Sequence, residues 1–225
     1  MNFAFIPARS GSKRLKDKNF KTINNESLLE ITISLAKKTK AFDEIYVSSD
    51  DLRAQQFSKN LDVNFILRSK KLSEDKTKVW DVLYEFLISK KDNFQSQDKI
   101  VLLLPTSPNR TKMNIEEGLA LIDKKKSNVL SVSPYKAPIE FALKVNNDSS
   151  VDIKQNQFLN SNSTQTQQFS KLYYPNGNFF GSTVGLYLKN KSFYANPLNV
   201  FITKDIESID INTEEDLELV RNLKQ

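Results

Sequence analysis

The chemistry of this chain comes from a short menu of side chains. Its 225 residues include no cysteine and no histidine. That removes disulfides, thiolate nucleophiles, Cys-ligated zinc, Ser-His-Asp hydrolysis and His-metal sites. Arg, Lys, Asp, Glu and backbone groups remain, with oxygen-ligated Mg²⁺ still open. The densest chemical segment is Pro7-Ala-Arg-Ser-Gly-Ser-Lys-Arg-Leu-Lys-Asp-Lys-Asn. Between Arg9 and Lys21 stand the cations Arg9, Lys13, Arg14, Lys16, Lys18 and Lys21, against one acid, Asp17. Gly11, Ser10 and Ser12 are small enough for backbone N–H groups to close on an anion. Arg9 and Lys13 bring fixed charge to the same place. A triphosphate needs that combination. The segment is not a Walker loop, because G-x-x-x-x-G-K-[ST] is absent. Taken alone, it is also compatible with a solvated basic loop between a strand and a helix.

The charge balance fits a small anionic ligand. The net charge is +6 and the isoelectric point near 9.2, but the excess is local and the stretch from Asp205 is acidic. A nucleic-acid face spreads its cations over several elements. No apolar run is long enough to span a membrane. The N-terminus lacks the pattern of a secretory signal. The expectation is a cytoplasmic protein that binds neither nucleic acid nor membrane.

The elements that must position these residues alternate. Apolar runs at Phe3–Ile6, Ile45–Val47, Val63–Leu67, Lys99–Leu104 and Val129–Val132 predict short strands. Helical spacing covers Leu28–Ala36, Leu52–Asn60, Val79–Leu87, Ile115–Ile122 and Thr213–Leu223. Thr213 and Asp216 form a candidate capping pair for the last helix. Strands without apolar–polar alternation are buried on both faces. The pattern predicts a Rossmann-like, doubly wound, mostly parallel α/β sheet in a single domain over 1–225. Ligands bind such sheets at the carboxyl ends of strands. Arg9–Asn19, Ser48–Asp51 and Pro105–Arg110 all follow strands, so all three belong to one rim. After Val132 the pattern breaks. Lys144–Lys171 is polar, punctuated by Val151, Ile153, Phe158, Leu159 and Phe169. It reads as either a linker or an extended arm.

The basic segment resembles the N-terminal signature of the cytidylyltransferases that activate sialic acid and related nine-carbon sugars. Three further stretches agree in order. They are Ile66-Leu-Arg-Ser-Lys-Lys-Leu-Ser-Glu-Asp, Leu103-Leu-Pro-Thr-Ser-Pro-Asn-Arg and Ser208-Ile-Asp-Ile-Asn-Thr-Glu-Glu-Asp-Leu. The resemblance covers nearly the whole chain and is weakest over 144–171. It implies a nucleotide-diphospho-sugar transferase type of fold. It also implies a reaction, in which a sugar hydroxyl attacks the α-phosphate of CTP and gives CMP-sugar and pyrophosphate with Mg²⁺ as cofactor. Carried over by position, Arg9, Lys13 and Lys18 hold the phosphates, with Gly11 and Ser12 in the same loop. Asn19 and Arg68 read the cytosine beside Thr77. Asp210, with Asn212, binds the metal. Leu104, Thr106, Asn176, Gly177, Phe193 and Tyr194 face the acidic nine-carbon sugar. The resemblance further implies a homodimer, with an inserted arm over about 138–180 crossing to the partner's pocket.

Several positions depart from the family pattern. Leu104 stands where the family has Gln, and Asn212 where it has the second Asp of Asp-x-Asp. Glu140 takes the place of a Lys and Thr166 that of an Arg. Asn212 also reads as a helix N-cap, Asp210 as an acid near a helix N-terminus, and Phe193 and Tyr194 as packing aromatics. The departures keep open another sugar or base on the same fold, or a nucleotide binder with weakened catalysis.

Overall fold

The computed structural model describes residues 1–151 and 169–224. The chain runs β1 (Asn2–Pro7), the short pair β2 (Thr22–Ile23) and β3 (Glu26–Ser27), α1 (Leu28–Thr39), β4 (Glu44–Ser49), α2 (Leu52–Asn60), β5 (Asn64–Leu67) and α3 (Val79–Ser89). It continues with β6 (Lys99–Leu102), α4 (Lys112–Lys125), β7 (Asn128–Pro134), β8 (Tyr173–Thr183), α5 (Val184–Asn190), β9 (Leu198–Ile202) and α6 (Glu214–Leu223).

Seven strands form one sheet in the order β5-β4-β1-β6-β8-β7-β9. β1 is parallel to β4 and β6, and β4 to β5. β9 is parallel to β7, while β8 runs antiparallel to β6 and β7. The expected mostly parallel α/β fold is therefore the one observed. From β1 the chain winds outward to β4 and β5, then returns to β6 on the other side of β1. That reversal opens a crevice at the carboxyl ends of β1 and β6.

The apolar strands are buried on both faces. Ala4 and Ile6 of β1 turn to one face with Leu29 and Ile33 of α1 and Ile115 and Ile122 of α4. Phe3 and Phe5 turn to the other, with Leu83 and Phe86 of α3 and Tyr187 of α5. Three helix starts are fixed by capping boxes. Ser27 and Glu30 form a capping box on α1, Thr111 and Asn114 on α4, and Thr213 and Asp216 on α6. A third cluster joins Leu15 of the basic loop, Leu28 of α1, and Ile211, Leu217 and Val220 near and within α6. It pins the first loop to the last helix.

The arm expected over 138–180 is corrected at its carboxyl end. Residues 173–180 lie in β8, in the middle of the sheet between β6 and β7. Their polar composition hides a strand, because Asn176, Asn178 and Ser182 are buried there. Side-chain hydrogen bonds compensate that burial at Asn176 and at the Asn178 amide nitrogen, while Asn178 Oδ1 and Ser182 Oγ have no partner among the described residues. Asn178 Nδ2, for example, donates to the Glu207 carbonyl at 2.8 Å. Ile153, Phe158, Leu159 and Thr166 lie outside the described residues.

Candidate active site

The basic segment leaves β1 at Pro7 and is tied down at several points. Ala8 N–H donates to the Ser48 carbonyl at 2.9 Å. Ser10 donates to Asp50 twice, from its backbone N–H at 2.8 Å and its hydroxyl at 2.5 Å. Asn19 Nδ2 donates to the Arg9 carbonyl at 3.0 Å. Gly11 sits at φ +70 with open space around it, where a side chain would be strained. Two of the three rim loops expected from the sequence meet directly, since Asp50 follows β4 and grips the loop after β1. The third is tied to the segment before α6, where the Thr106 carbonyl accepts from Ile211 N–H at 2.8 Å and Ile211 packs with Leu15 of the first loop.

Two adjoining cavities follow the loop. One of about 200 Å³ is lined by Arg9, Ser12, Lys18, Asn19, Arg68 and Thr77, with Pro7, Val79 and Val82 as its apolar wall. The other, of about 90 Å³, lies among Arg9, Ser12, Lys13, Arg14, Leu15 and Lys18. The first suits a flat base and the second its phosphates. Arg9, Ser12 and Lys18 line both. Burial pushes the Lys18 ammonium below its ordinary pKa, and the attraction of Asp210 opposes that shift. Arg68 is buried at the back of the first cavity. Its Nε donates to Ser48 Oγ at 2.9 Å, but one terminal nitrogen has no partner. Burial lowers its pKa to about 10 against the attraction of Asp50.

Asp75, absent from the expected site, bridges the two leading phosphate candidates. Its carboxylate accepts from Arg9 at 2.9 Å and pairs with Lys13 at 2.6 Å. Those two cations hold it below the usual carboxylate range, Lys13 more strongly than Arg9. Its place in the quoted Ser-Glu-Asp stretch was the available signal.

Asp210 and Asn212 arrive between β9 and α6. Asp210 Oδ2 accepts from Asn212 Nδ2 at 2.7 Å, while its buried Oδ1 has no partner. Beneath it Arg110 is buried, donating to the carbonyls of Asn178 at 2.5 Å and Leu104 at 2.9 Å. Burial pushes Arg110 down to about 9, and Asp210 opposes the shift. The side chain of Asn212, expected to help bind the metal, is engaged elsewhere. Its only side-chain oxygen already accepts from Arg14 at 2.8 Å and Lys18 at 3.2 Å. Asn212 is not the N-cap of α6, which is Thr213. Among the described residues no group of three or more His, Cys, Asp and Glu side chains gathers. The donor set fits a divalent cation held by one oxygen of Asp210, its remaining sphere filled by phosphate and water. It does not fit a site with two carboxylates.

The sugar-side residues divide. Leu104 is half-buried, and a Cβ built on Gly177 (φ +78) would lie 3.6 Å from its Cδ1. Thr106 is buried at the rim. Tyr194 is 50% exposed, with its ring 5.9 Å from that of Trp80. Two expectations are corrected. Phe193 is 0% exposed and packs in the core, with its ring 4.7 Å from Tyr187 and 5.4 Å from Trp80. Asn176 is 5% exposed, and its amide is fully engaged. It donates to Ser133 at 2.8 Å and Thr203 at 2.6 Å and accepts from Ser131 at 2.6 Å. Half-buried Trp80, against the rings of Phe193 and Tyr194, is an aromatic that the sequence did not mark. Glu140 sits half-buried in a short turn over Ile139–Phe141.

Several known proteins resemble this chain. An N-acylneuraminate cytidylyltransferase of Streptococcus agalactiae serotype V is 31% identical over 215 residues, covering 94% of this chain and 50% of that protein. The chain thus spans about half the length of that relative. A CMP-N,N'-diacetyllegionaminic acid synthase of Legionella pneumophila is 29% identical over 224 residues, covering 99% of this chain and 95% of that protein. A solved CMP:2-keto-3-deoxy-manno-octonic acid synthetase complexed with CTP superposes with a TM-score of 0.70 at 16% identity, over 99% of this chain and 98% of that one. That likeness speaks to the fold. The profile of one family, Cytidylyltransferase, matches residues 3–225. With a sheet switch point, a basic loop at its mouth and a match over nearly the whole length, the chain belongs to the cytidylyltransferase family.

Proposed function

We propose that the protein transfers CMP from CTP to a sialic-acid-like nonulosonic acid and releases pyrophosphate. The observation that carries this is the pair of adjoining cavities, with Arg9, Ser12 and Lys18 common to both. A base in the first places its phosphates in the second. Arg68 and Asn19 supply donors at the base end. Arg9, Lys13 and Lys18 supply charge at the phosphate end. An acceptor hydroxyl attacks the α-phosphorus, and the bond to the β-phosphate oxygen breaks. Negative charge moves onto the departing pyrophosphate, where the cations are concentrated. Asp210 would hold Mg²⁺, which supplies further neutralisation of phosphate charge when bound. The acceptor lies toward Leu104, Gly177 and Tyr194. We read the reaction as cytoplasmic, which its proposed use of CTP supports. We also read the assembly as a homodimer, from the apolar surface around Tyr135, Ile139 and Leu143.

The test is pyrophosphate release from CTP, UTP, GTP and ATP, each with a panel of acidic nine-carbon sugars and Mg²⁺. Release with CTP and at least one such sugar is expected. A preference for a purine nucleotide, or no release from folded protein across the panel, rejects the proposal. One observation favours a second reading, a nucleotide binder without turnover. The Asn212 oxygen is committed to Arg14 and Lys18. That reading predicts CTP binding with no pyrophosphate at any sugar concentration.

A further inference from the structure

Asn212 stands between groups with opposite needs. Its amide nitrogen donates to Asp210 Oδ2 at 2.7 Å and to the Asp210 carbonyl at 3.3 Å. Its amide oxygen accepts from Arg14 at 2.8 Å and Lys18 at 3.2 Å. The neighbours fix this orientation. Turned over, the amide would face its N–H groups to a guanidinium and an ammonium, and its oxygen to a carboxylate. All these bonds would be lost. The backbone is fixed as well, since Asn212 N–H donates to Asp216 Oδ2 at 2.8 Å and Asp216 completes the cap of α6.

An aspartate at this position could accept from the two cations but could not donate to Asp210. Two carboxylates would then face each other and require a cation between them. The amide removes that requirement. Asp210 gains a neutral donor and keeps one unpartnered oxygen. Arg14 and Lys18 are aimed by a dipole instead of being neutralised by a charge. Both line the smaller cavity beside Arg9 and Lys13.

We propose that Asn212 is a positioning residue, not a metal ligand. It aims Arg14 and Lys18 at the phosphates, so Arg14 joins Arg9, Lys13 and Lys18 in binding them. The inference rests on the proposal that the Arg9–Asn19 loop holds a nucleoside triphosphate. Its consequence is that the protein itself carries most of the neutralising charge, and nucleotide binding does not require a divalent metal.

Two titrations of the full chain test this, on wild type, Asn212→Ala and Asn212→Asp, with melting curves as the check on folding. The first is calorimetry with CTP in EDTA and in Mg²⁺. The second is Mn²⁺ binding by electron paramagnetic resonance without nucleotide. Wild type is expected to bind CTP in EDTA within about tenfold of its affinity in Mg²⁺. Asn212→Ala is expected to weaken CTP binding in EDTA by about tenfold and leave Mn²⁺ affinity unchanged. Asn212→Asp is expected to tighten Mn²⁺ binding by about tenfold or more and to weaken CTP in EDTA, because its charge draws the cations away from phosphate. A loss of Mn²⁺ affinity in Asn212→Ala, with CTP binding in EDTA unchanged, makes Asn212 a ligand and overturns the proposal. So does CTP binding by wild type in Mg²⁺ only. If wild type binds no triphosphate under either condition, the phosphate role of the loop falls. Unchanged Mn²⁺ affinity in Asn212→Ala would still exclude Asn212 as a ligand.

Discussion

Arg68 carries a buried charge that the empty protein leaves partly unsatisfied. Its guanidinium donates to Ser48 Oγ, and one terminal nitrogen has no partner. Burial holds its folded pKa near 10, below its ordinary value. A cation whose folded pKa is depressed opposes folding. That cost is fully present below pH about 10 and is relieved only as pH rises through about 10 toward the unfolded value. A bound base that accepts from the free nitrogen recovers part of it. Arg68→Met therefore separates stability from binding. The empty variant should melt no lower than wild type and as much as roughly 2–4 °C higher for each kcal/mol of relieved desolvation. Its CTP affinity, read by calorimetry, should fall by roughly ten- to a hundredfold, the worth of a hydrogen bond from a charged donor. A lower melting point with unchanged affinity would make Arg68 a structural residue.

The loop after β1 has its shape because other elements hold it. Asp50 accepts both the backbone and the hydroxyl of Ser10. Burial raises the pKa of Asp50, but the Ser10 hydrogen bonds and the attraction of Arg68 outweigh that and leave it below the ordinary value of 3.8. A carboxylate with a depressed folded pKa stabilises above its unfolded pKa and stops doing so as pH falls through the folded one. The anchor is therefore intact at neutral pH and is lost only below about pH 4. Asp50→Ala should raise KM for CTP by about tenfold, with kcat changed less, because the loop loses its aim before the phosphates arrive. Steady-state kinetics at saturating sugar checks this, and an unchanged KM would remove Asp50 from the site. The strongly apolar elements around this loop are legible from residues alone, because β1, β4 and β6 are buried on both faces and contain little else. β8 is not. Its Asn176, Asn178 and Ser182 look like loop residues until Ser131, Ser133 and Thr203 are placed around Asn176, and Asn114 and Glu207 beside the Asn178 amide nitrogen, and no local pattern reveals those partners. The same limit applies to Phe193. A motif position gives its place in the chain but not the face it turns to, and here that face is the core beside Tyr187.

At the scale of the molecule, an apolar surface stands exposed among the described residues. Around the end of β7 and the segment after it, Tyr135, Ile139, Leu143 and Val145 are 42 to 63% exposed, and Tyr173 and Tyr174 of β8 add to the patch. The rings of Tyr135 and Tyr174 lie 5.1 Å apart and tilted, and Tyr135 N–H donates to the Leu172 carbonyl at 3.0 Å, so the end of β7 and the start of β8 present their aromatics together. Scattered exposed apolar residues are ordinary. A contiguous group of this kind marks an interaction surface. A second copy is the simplest occupant, because a self-complementary patch closes on itself about a two-fold axis. A specific dimer buries on the order of 1,600 Å² in total. Light scattering on the eluting peak should therefore report about twice the chain mass of 25.8 kDa. The double substitution Ile139→Asp with Leu143→Asp places like charges on that surface without touching the sheet. It should give a single-chain mass and a melting point within about 2 °C of wild type, since exposed positions away from caps and core change stability little. A wild-type monomer at micromolar concentration would leave the patch without this occupant. A variant that stays dimeric would move the interface elsewhere on the molecule.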